Sequence, residues 1–237
     1  MVLQMFSDPK CCNPGETADK STPVTCIAGW VFLLVLVSLT SACSFLASPS
    51  IVRPNFETET IKLREGNYKL DPDHSTLLFK IGHLNLATYV GRFNQIEASL
   101  EFDPKAIEDT VLEGIVEVAS IDTNNAEFDS LLVGSDWFDA EQYPQARFVS
   151  TGVEPVPLDD GRIQLAVEGE LTLRGVTRPV SMTATFNGGA DNLLTRKYTL
   201  GFSATGSFMR SDFGIAKFPG LVSEQVDLEF FAEFQRQ

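Results

Sequence analysis

Residues 67–237 predict an all-β fold: a single antiparallel eight-stranded barrel with one short helical segment. Three observations lead there. Apolar and polar residues alternate with period two through most of this region, as half-buried strands require. Asp159-Asp160-Gly161 and Asn187-Gly188-Gly189 are hairpin signals between such runs. About eight strands emerge, enough to close a sheet on itself, remove its edges and enclose a lumen for one small ligand.

The clearest strand spans 163–173. Ile163, Leu165, Val167, Gly169, Leu171 and Leu173 share one face, and Gln164, Ala166, Glu168, Glu170 and Thr172 the other. At the C-terminus Val226, Leu228, Phe230, Ala232 and Phe234 oppose Asp227, Glu229, Phe231 and Glu233. Further strands are expected over 75–82, 91–102, 111–120, 147–153, 180–186 and 198–208. Residues 124–132 break the pattern and read as a helix, with Asp122, Thr123 or Asn124 available as its cap.

The inner faces are Phe-rich: the chain holds 18 Phe against 4 Tyr and 2 Trp. Leu77, Phe79 and Ile81 are followed in parity by His83. Leu200, Phe202, Ala204, Gly206 and Phe208 alternate bulky with small. Small residues opposite phenyl rings would leave room for a slim, extended chain. The competing reading is an ordinary filled core.

Composition narrows the function. Hydrophobic residues make up 43% and charged residues 21%, so a real core is available. The net charge of −14, with no basic patch, argues against nucleic acid or anionic headgroups as partners. Cys11, Cys12, Cys26 and Cys43 all precede the strand region, which therefore has no disulfide, no Cys-based metal site and no catalytic thiol.

The N-terminal part reads as a targeting signal. No charge occurs between Lys20 and Arg53, and an apolar run over 26–39 ends in Thr40-Ser41-Ala42 before Cys43. Ser41-Ala42-Cys43 resembles the lipobox of bacterial lipoproteins, with Thr40 where Leu or Val is usual. This implies a signal peptide over 1–42, diacylation of Cys43 and a tether over 43–66. The alternative is an uncleaved transmembrane anchor. The expected location is the periplasmic side of the cell envelope, attached to a membrane. For a lipoprotein of a diderm bacterium that would be the outer membrane, since Ser44 rather than Asp follows the cysteine. The alternative is an inner-membrane signal anchor.

An ordered set of short motifs spans the strand region. These are Tyr68-Lys69-Leu70-Asp71 with His74-Ser75, His83, Gly91-Arg92-Phe93, and Ser120-Ile121-Asp122-Thr123. Asp136-Trp137-Phe138-Asp139, Tyr143-Pro144 and Phe148 follow. Last come the run from Gly169 to Val180 with Arg174-Gly175 inside it, and Arg210-Ser211-Asp212-Phe213-Gly214. Together they resemble the YceI-like, polyisoprenoid-binding family. The resemblance implies a lipocalin-like barrel, extended relative to lipocalins, that holds a polyprenyl chain in its lumen without a cofactor. One departure matters. The helix that commonly reads R-D-x-H-L is Phe128-Asp129-Ser130-Leu131-Leu132 here. Apolar residues at the Arg and His positions favour a neutral quinone or a fatty-acid-like ligand over a pyrophosphate-bearing one.

Expected ligand-binding residues are Phe79, Ile81, His83, Leu171, Phe202, Ala204, Phe208 and Arg210, with the polar end of the ligand near His83. Arg210 has two readings: a contact for an anionic head, or a corner salt bridge to Asp212 or Asp227. Arg174-Gly175 is expected as a tight turn in which Gly175 supplies a positive φ. Asp136-Trp137-Phe138 should pack the helical segment over one barrel end. No catalytic residue and no metal ligand is assigned. The rival function is an envelope enzyme that acts on a lipid or uses a His-bound metal, pairing His74 with Asp71 or Asp73 as a general base. The structural reading of His74 is a tie between a strand start and a neighbouring loop. A weaker third idea is an envelope protein that binds another protein. The expected partners are a long-chain lipid and the membrane, and a homodimer is compatible with them.

Overall fold

A computed structural model describes residues 57–59, 62–158 and 163–237. The signal at 1–42, Cys43, the first part of the expected tether and the turn at 159–161 lie outside the described residues.

The segments that alternate form strands: β1 (Gly66–Leu70), β2 (Thr76–His83), β3 (Ala87–Phe93), β4 (Ile96–Phe102), β5 (Val111–Glu117) and β6 (Ile121–Asp122). The helix α1 (Ala126–Leu132) follows. Then come β7 (Gln145–Pro157), β8 (Ile163–Leu173), β9 (Val176–Asp191), β10 (Tyr198–Met209) and β11 (Val222–Arg236). Eleven strands make eight staves. β11 pairs with β1 through Leu70↔Phe234 and with β2 through Leu77↔Phe230, so β1 and β2 are one interrupted stave. β3 and β4 form the second, paired with β2 and β1. β5 and β6 form the third, paired with β4 and β3. The order is a closed antiparallel meander, each stave beside its sequence neighbours and β11 back on the first.

The three interruptions sit side by side. The Asn94 N–H donates to the Ser120 carbonyl at 3.0 Å, and the Glu117 N–H to the Gln95 carbonyl at 3.1 Å. Adjacent staves thus bend together, and the ladder resumes on both sides. Asp71 opens the first interruption by accepting the Asp73 N–H across a 3-10 turn, Pro72–His74. Alternation alone shows a run as continuous, which is why 91–102 and 111–120 read as unbroken strands.

Two local expectations are corrected. Asn187-Gly188-Gly189 is not a hairpin turn but part of β9. Gly188 there takes a φ of 141° and the register to β10 shifts at Gly201/Phe202. The true turn is 192–197, where the Asn192 side chain accepts the N–H groups of Leu194 and Thr195. The cap of α1 is Asn125, whose side chain accepts the Phe128 N–H at 3.3 Å, rather than residues 122–124. Arg174-Gly175 is the expected tight turn, with φ of 53° and 71° closing Leu173↔Val176.

One barrel end is filled. Tyr68, Leu100, Phe102, Tyr198, Leu200 and Phe234 pack there with Leu63. Burial pushes the Tyr68 phenol up to about 12. The last part of the expected tether is docked on this end. Glu57 bridges to Gly189, Leu63 is 6% exposed, and Arg64 clamps Asp191 with two bonds while lying 4.3 Å from the Tyr198 ring centroid. Period-free sequence concealed a segment held by one leucine and one arginine.

Candidate functional site: an apolar cavity under the helical end

The opposite end gathers the β2–β3 tip, α1 with the loop to β7, the β8–β9 turn and the β10–β11 connection. Beneath them lies a cavity of about 450 Å³. Its wall follows from strand parity. Leu77, Phe79, Ile81 and His83 alternate along β2, and Leu171 and Leu173 along β8. Phe208 of β10 faces Val226 of β11, its register partner, across the same wall. Phe128 and Leu132 of α1, with Trp137 and Phe138, form the cover.

Two glycines make room for the rings. Gly91 is the register partner of Phe79, and a Cβ on it would overlap the Phe79 ring. Gly169 is overlain in the same way by the Phe148 ring. Ring-over-glycine packing of this kind pins register. Phe93 then packs at a tilt on Phe79 with centroids 5.7 Å apart and edge-on to Phe138 at 6.2 Å.

Few polar groups reach the wall. His83 lies at the exposed end of β2, so the cavity meets the surface there. The Tyr89 hydroxyl points toward the Thr123 carbonyl at 3.5 Å, and its ring meets Phe128 edge-on at 5.4 Å. Arg210 is 2% exposed. It donates to the carbonyls of Ser223 at 2.8 Å, Ile215 at 2.9 Å and Val222 at 3.2 Å, and to the Glu224 carboxylate at 3.0 Å. The corner salt bridge therefore forms with Glu224 and not with Asp212 or Asp227. Glu224 lies where β11 shifts register between Val222 and Val226, which turns it toward Arg210.

Of the eight expected ligand-binding residues, the structure brings Phe79, Ile81, His83, Leu171, Phe208 and Arg210 to this cavity. Phe202 and Ala204 share their inward face but stand deeper. Phe202 packs between Phe186 and Phe234, with centroids at 5.4 and 6.0 Å. Ala204 is 7% exposed among Val153, Leu165, Val167 and Ala184. Phe93, Trp137 and Val226 join the wall although they were not among the expected ligand-binding residues; Trp137 lies with the helical segment over this barrel end, as expected. The G-x-F spacing was the available signal for Phe93.

His74 lies in the 3-10 turn before β2 and His83 ends the strand, whose eight residues alone rise roughly 23 Å. The His74 Nδ1 meets an Asp71 carboxylate oxygen at 2.9 Å, and the Gln235 amide donates to the same oxygen. Burial raises the Asp71 pKa, but hydrogen bonds from His74 and the Asp73 N–H outweigh it and hold the carboxyl below its ordinary value. The hydrogen bond to Asp71, then its charge, raises His74. Glu233 completes a group whose potential ligand atoms lie within 4.8 Å of one another. Its arrangement is that of an ion pair joining the β1–β2 break to β11, away from the cavity.

Comparison with known proteins agrees with this architecture. Residues 68–234 match the YceI-like domain. A UPF0312 protein of Pseudomonas fluorescens is 39% identical over 166 residues, covering 68% of this chain and 83% of that protein. The crystal structure of Burkholderia cenocepacia BcnA aligns with a TM-score of 0.62 at 25% identity, over 69% of this chain and 98% of that one. A polyisoprenoid binding domain from Saccharophagus degradans shares the fold, with a TM-score of 0.54 at 14% identity over 73% of this chain and 100% of that one. The chain belongs to the YceI-like domain family.

Proposed function

We propose that the barrel binds and carries one long-chain lipid with a neutral head, an isoprenoid quinone or polyprenyl compound by preference, without turnover. The observation that carries this reading is the cavity itself. It has the volume of a small-molecule site, and its wall is almost wholly hydrocarbon. Burying a chain there contributes about 0.8 kcal/mol per methylene, on the order of 10 kcal/mol gross for a dozen carbons. Arg210 is the one formally charged side chain among the described lining residues, and its bonds already go to three carbonyls and a carboxylate. An anionic head would have to compete with them. Phe128, standing where the related helix commonly carries Arg, adds hydrocarbon to the cover. His83 at the surface can hydrogen-bond a carbonyl or hydroxyl head. The Saccharophagus degradans protein of this fold is described as polyisoprenoid-binding, and the cavity here has the chemistry such a chain requires.

The enzymatic reading has less support. His74 is engaged by Asp71 outside the cavity, and among the described residues no hydrogen bond orients His83 as a base. The uncharged apolar run before Ser41-Ala42-Cys43 supports an envelope location, with Cys43 as the acylated residue or, alternatively, the run itself as an uncleaved anchor.

Organic extraction of the purified protein and mass spectrometry test the function. The expected result is about one neutral long-chain lipid per barrel. A tightly bound metal with no lipid, or an empty barrel that takes up none, would overturn it. Loss of residues 1–42 and a diacylated Cys43 in the mature protein would support the anchor; an intact N-terminus would overturn it.

A further inference from the structure

We propose that the cavity mouth docks directly on the surface of a zwitterionic phospholipid bilayer, so that the ligand passes between membrane and barrel without crossing water; this rests on the lipid-carrier reading. Two loops frame the mouth. The β2–β3 tip presents Leu84, 44% exposed, and Leu86, 85% exposed, next to His83. The β10–β11 connection presents Phe218 and Leu221, at 52% and 51%. The loops are joined, since the Leu84 N–H donates to the Leu221 carbonyl at 2.7 Å. Each is continuous with the cavity: His83 pairs with Val222, and Phe218 packs on Trp137 at 6.1 Å, all three partners being lining residues.

The turn chemistry is unusual for what it displays. Leu84 and Asn85 have φ of 56° and 55°, the geometry in which Asn-Gly is favoured. Phe218 also has a positive φ, 52°. Bulky apolar residues are poor choices for such backbone and gain nothing by pointing into water. Their placement is accounted for by an apolar phase outside the barrel.

Charge selects the kind of surface. Residues 84–86 carry no formal charge, and in 214–222 the one charge, Lys217, pairs with Asp136 at 2.9 Å. With a net charge of −14 on the chain, an anionic membrane would repel the protein, whereas a zwitterionic one lets the rim insert without cost to unpaired ions.

The test uses the full chain with Trp30→Phe, which leaves Trp137 at the cavity as the sole tryptophan. All-trans-retinol, a fluorescent neutral isoprenoid alcohol, is the probe, and energy transfer from Trp137 reports its entry. The rate of uptake is measured from phosphatidylcholine vesicles and from a water-soluble cyclodextrin complex, for this protein and for Leu86→Asp and Leu221→Asp. Both variants should slow uptake from vesicles about tenfold, the factor set by losing burial of one leucine side chain. Uptake from the cyclodextrin complex and final occupancy should not change, and added salt should not slow the vesicle reaction. Unchanged vesicle rates would overturn the docking surface. So would equal slowing from both sources, which would make the rim a gate, or a change only in oligomeric state, which would make it a contact between copies. Failure of the unsubstituted barrel to take retinol from either source would instead defeat the carrier reading.

Discussion

The ring of Phe79 on β2 lies over Gly91 on β3, its register partner, and occupies the place of a Gly91 side chain. That contact sets one wall of the cavity, because Phe79 then packs against Phe93 and Phe93 meets Phe138 edge-on. Gly91→Val should force Phe79 out of this seat, at about 1–3 kcal/mol in stability. The displaced ring enters the cavity, so bound lipid per barrel should fall as well. Equilibrium denaturation and extraction of the same preparation measure both.

Arg210 should matter for stability far more than for head recognition. Arg210→Ala strands three carbonyls and Glu224. Loss of a fully buried ion pair costs about 3–5 kcal/mol, and partial exposure of Glu224 lowers this to roughly 2–3 kcal/mol. Arg210→Lys keeps the charge but not the fork of bonds, and should still lower the thermal midpoint. Affinity of the folded fraction for retinol should be nearly unchanged.

The His74–Asp71 pair implies a dependence on pH. His74 is raised in the folded state, so its contribution is fully present below about pH 6.5 and is lost as pH rises through the raised value. Asp71 is lowered, so its contribution is present above about pH 4 and is lost as pH falls through the depressed value. The stability gap between wild type and His74→Gln should therefore be widest at about pH 5 and narrow toward about pH 9. His74 is exposed, so the gap should be small. A gap that widens with rising pH would show that the ion pair has been misassigned.

Leu63 should behave as a core residue. Leu63→Ala removes a side chain packed at the filled end and should cost about 2–4 kcal/mol. A flexible tether would show almost no change in denaturant midpoint.

How far the sequence disclosed the molecule depends on which interaction sets each feature. Side-chain alternation reports which face looks inward, and it placed Leu77, Phe79, Ile81, Leu171 and Phe208 correctly on the inner wall. It does not report depth along the barrel axis. Ala204 and Phe208 share a face two turns of alternation apart, yet one lies in packed core and the other on the cavity. Depth depends on register between distant strands and on where rings such as Phe186 and Phe202 plug the lumen. Arg210 was visible as a charged residue in a strand-end motif. Its partner was not, because Glu224 is turned inward by an irregularity in β11 that no local pattern marks. Leu63 was missed for the opposite reason, since a single anchoring leucine has no periodicity.

The distinction between the cavity end and the filled end of the barrel gives the most direct test. Ala146 lines the cavity, whereas Ala204 sits in packed core. The measurement is lipid extracted per folded barrel from Ala146→Phe, with its thermal midpoint, against Ala204→Phe as the control. Ala146→Phe should lose most of its lipid and keep its midpoint, because the new ring enters existing space. Ala204→Phe should lower the midpoint by overpacking, a cost of about 1–3 kcal/mol. Full lipid occupancy in a stable Ala146→Phe protein would contradict a ligand housed in this cavity.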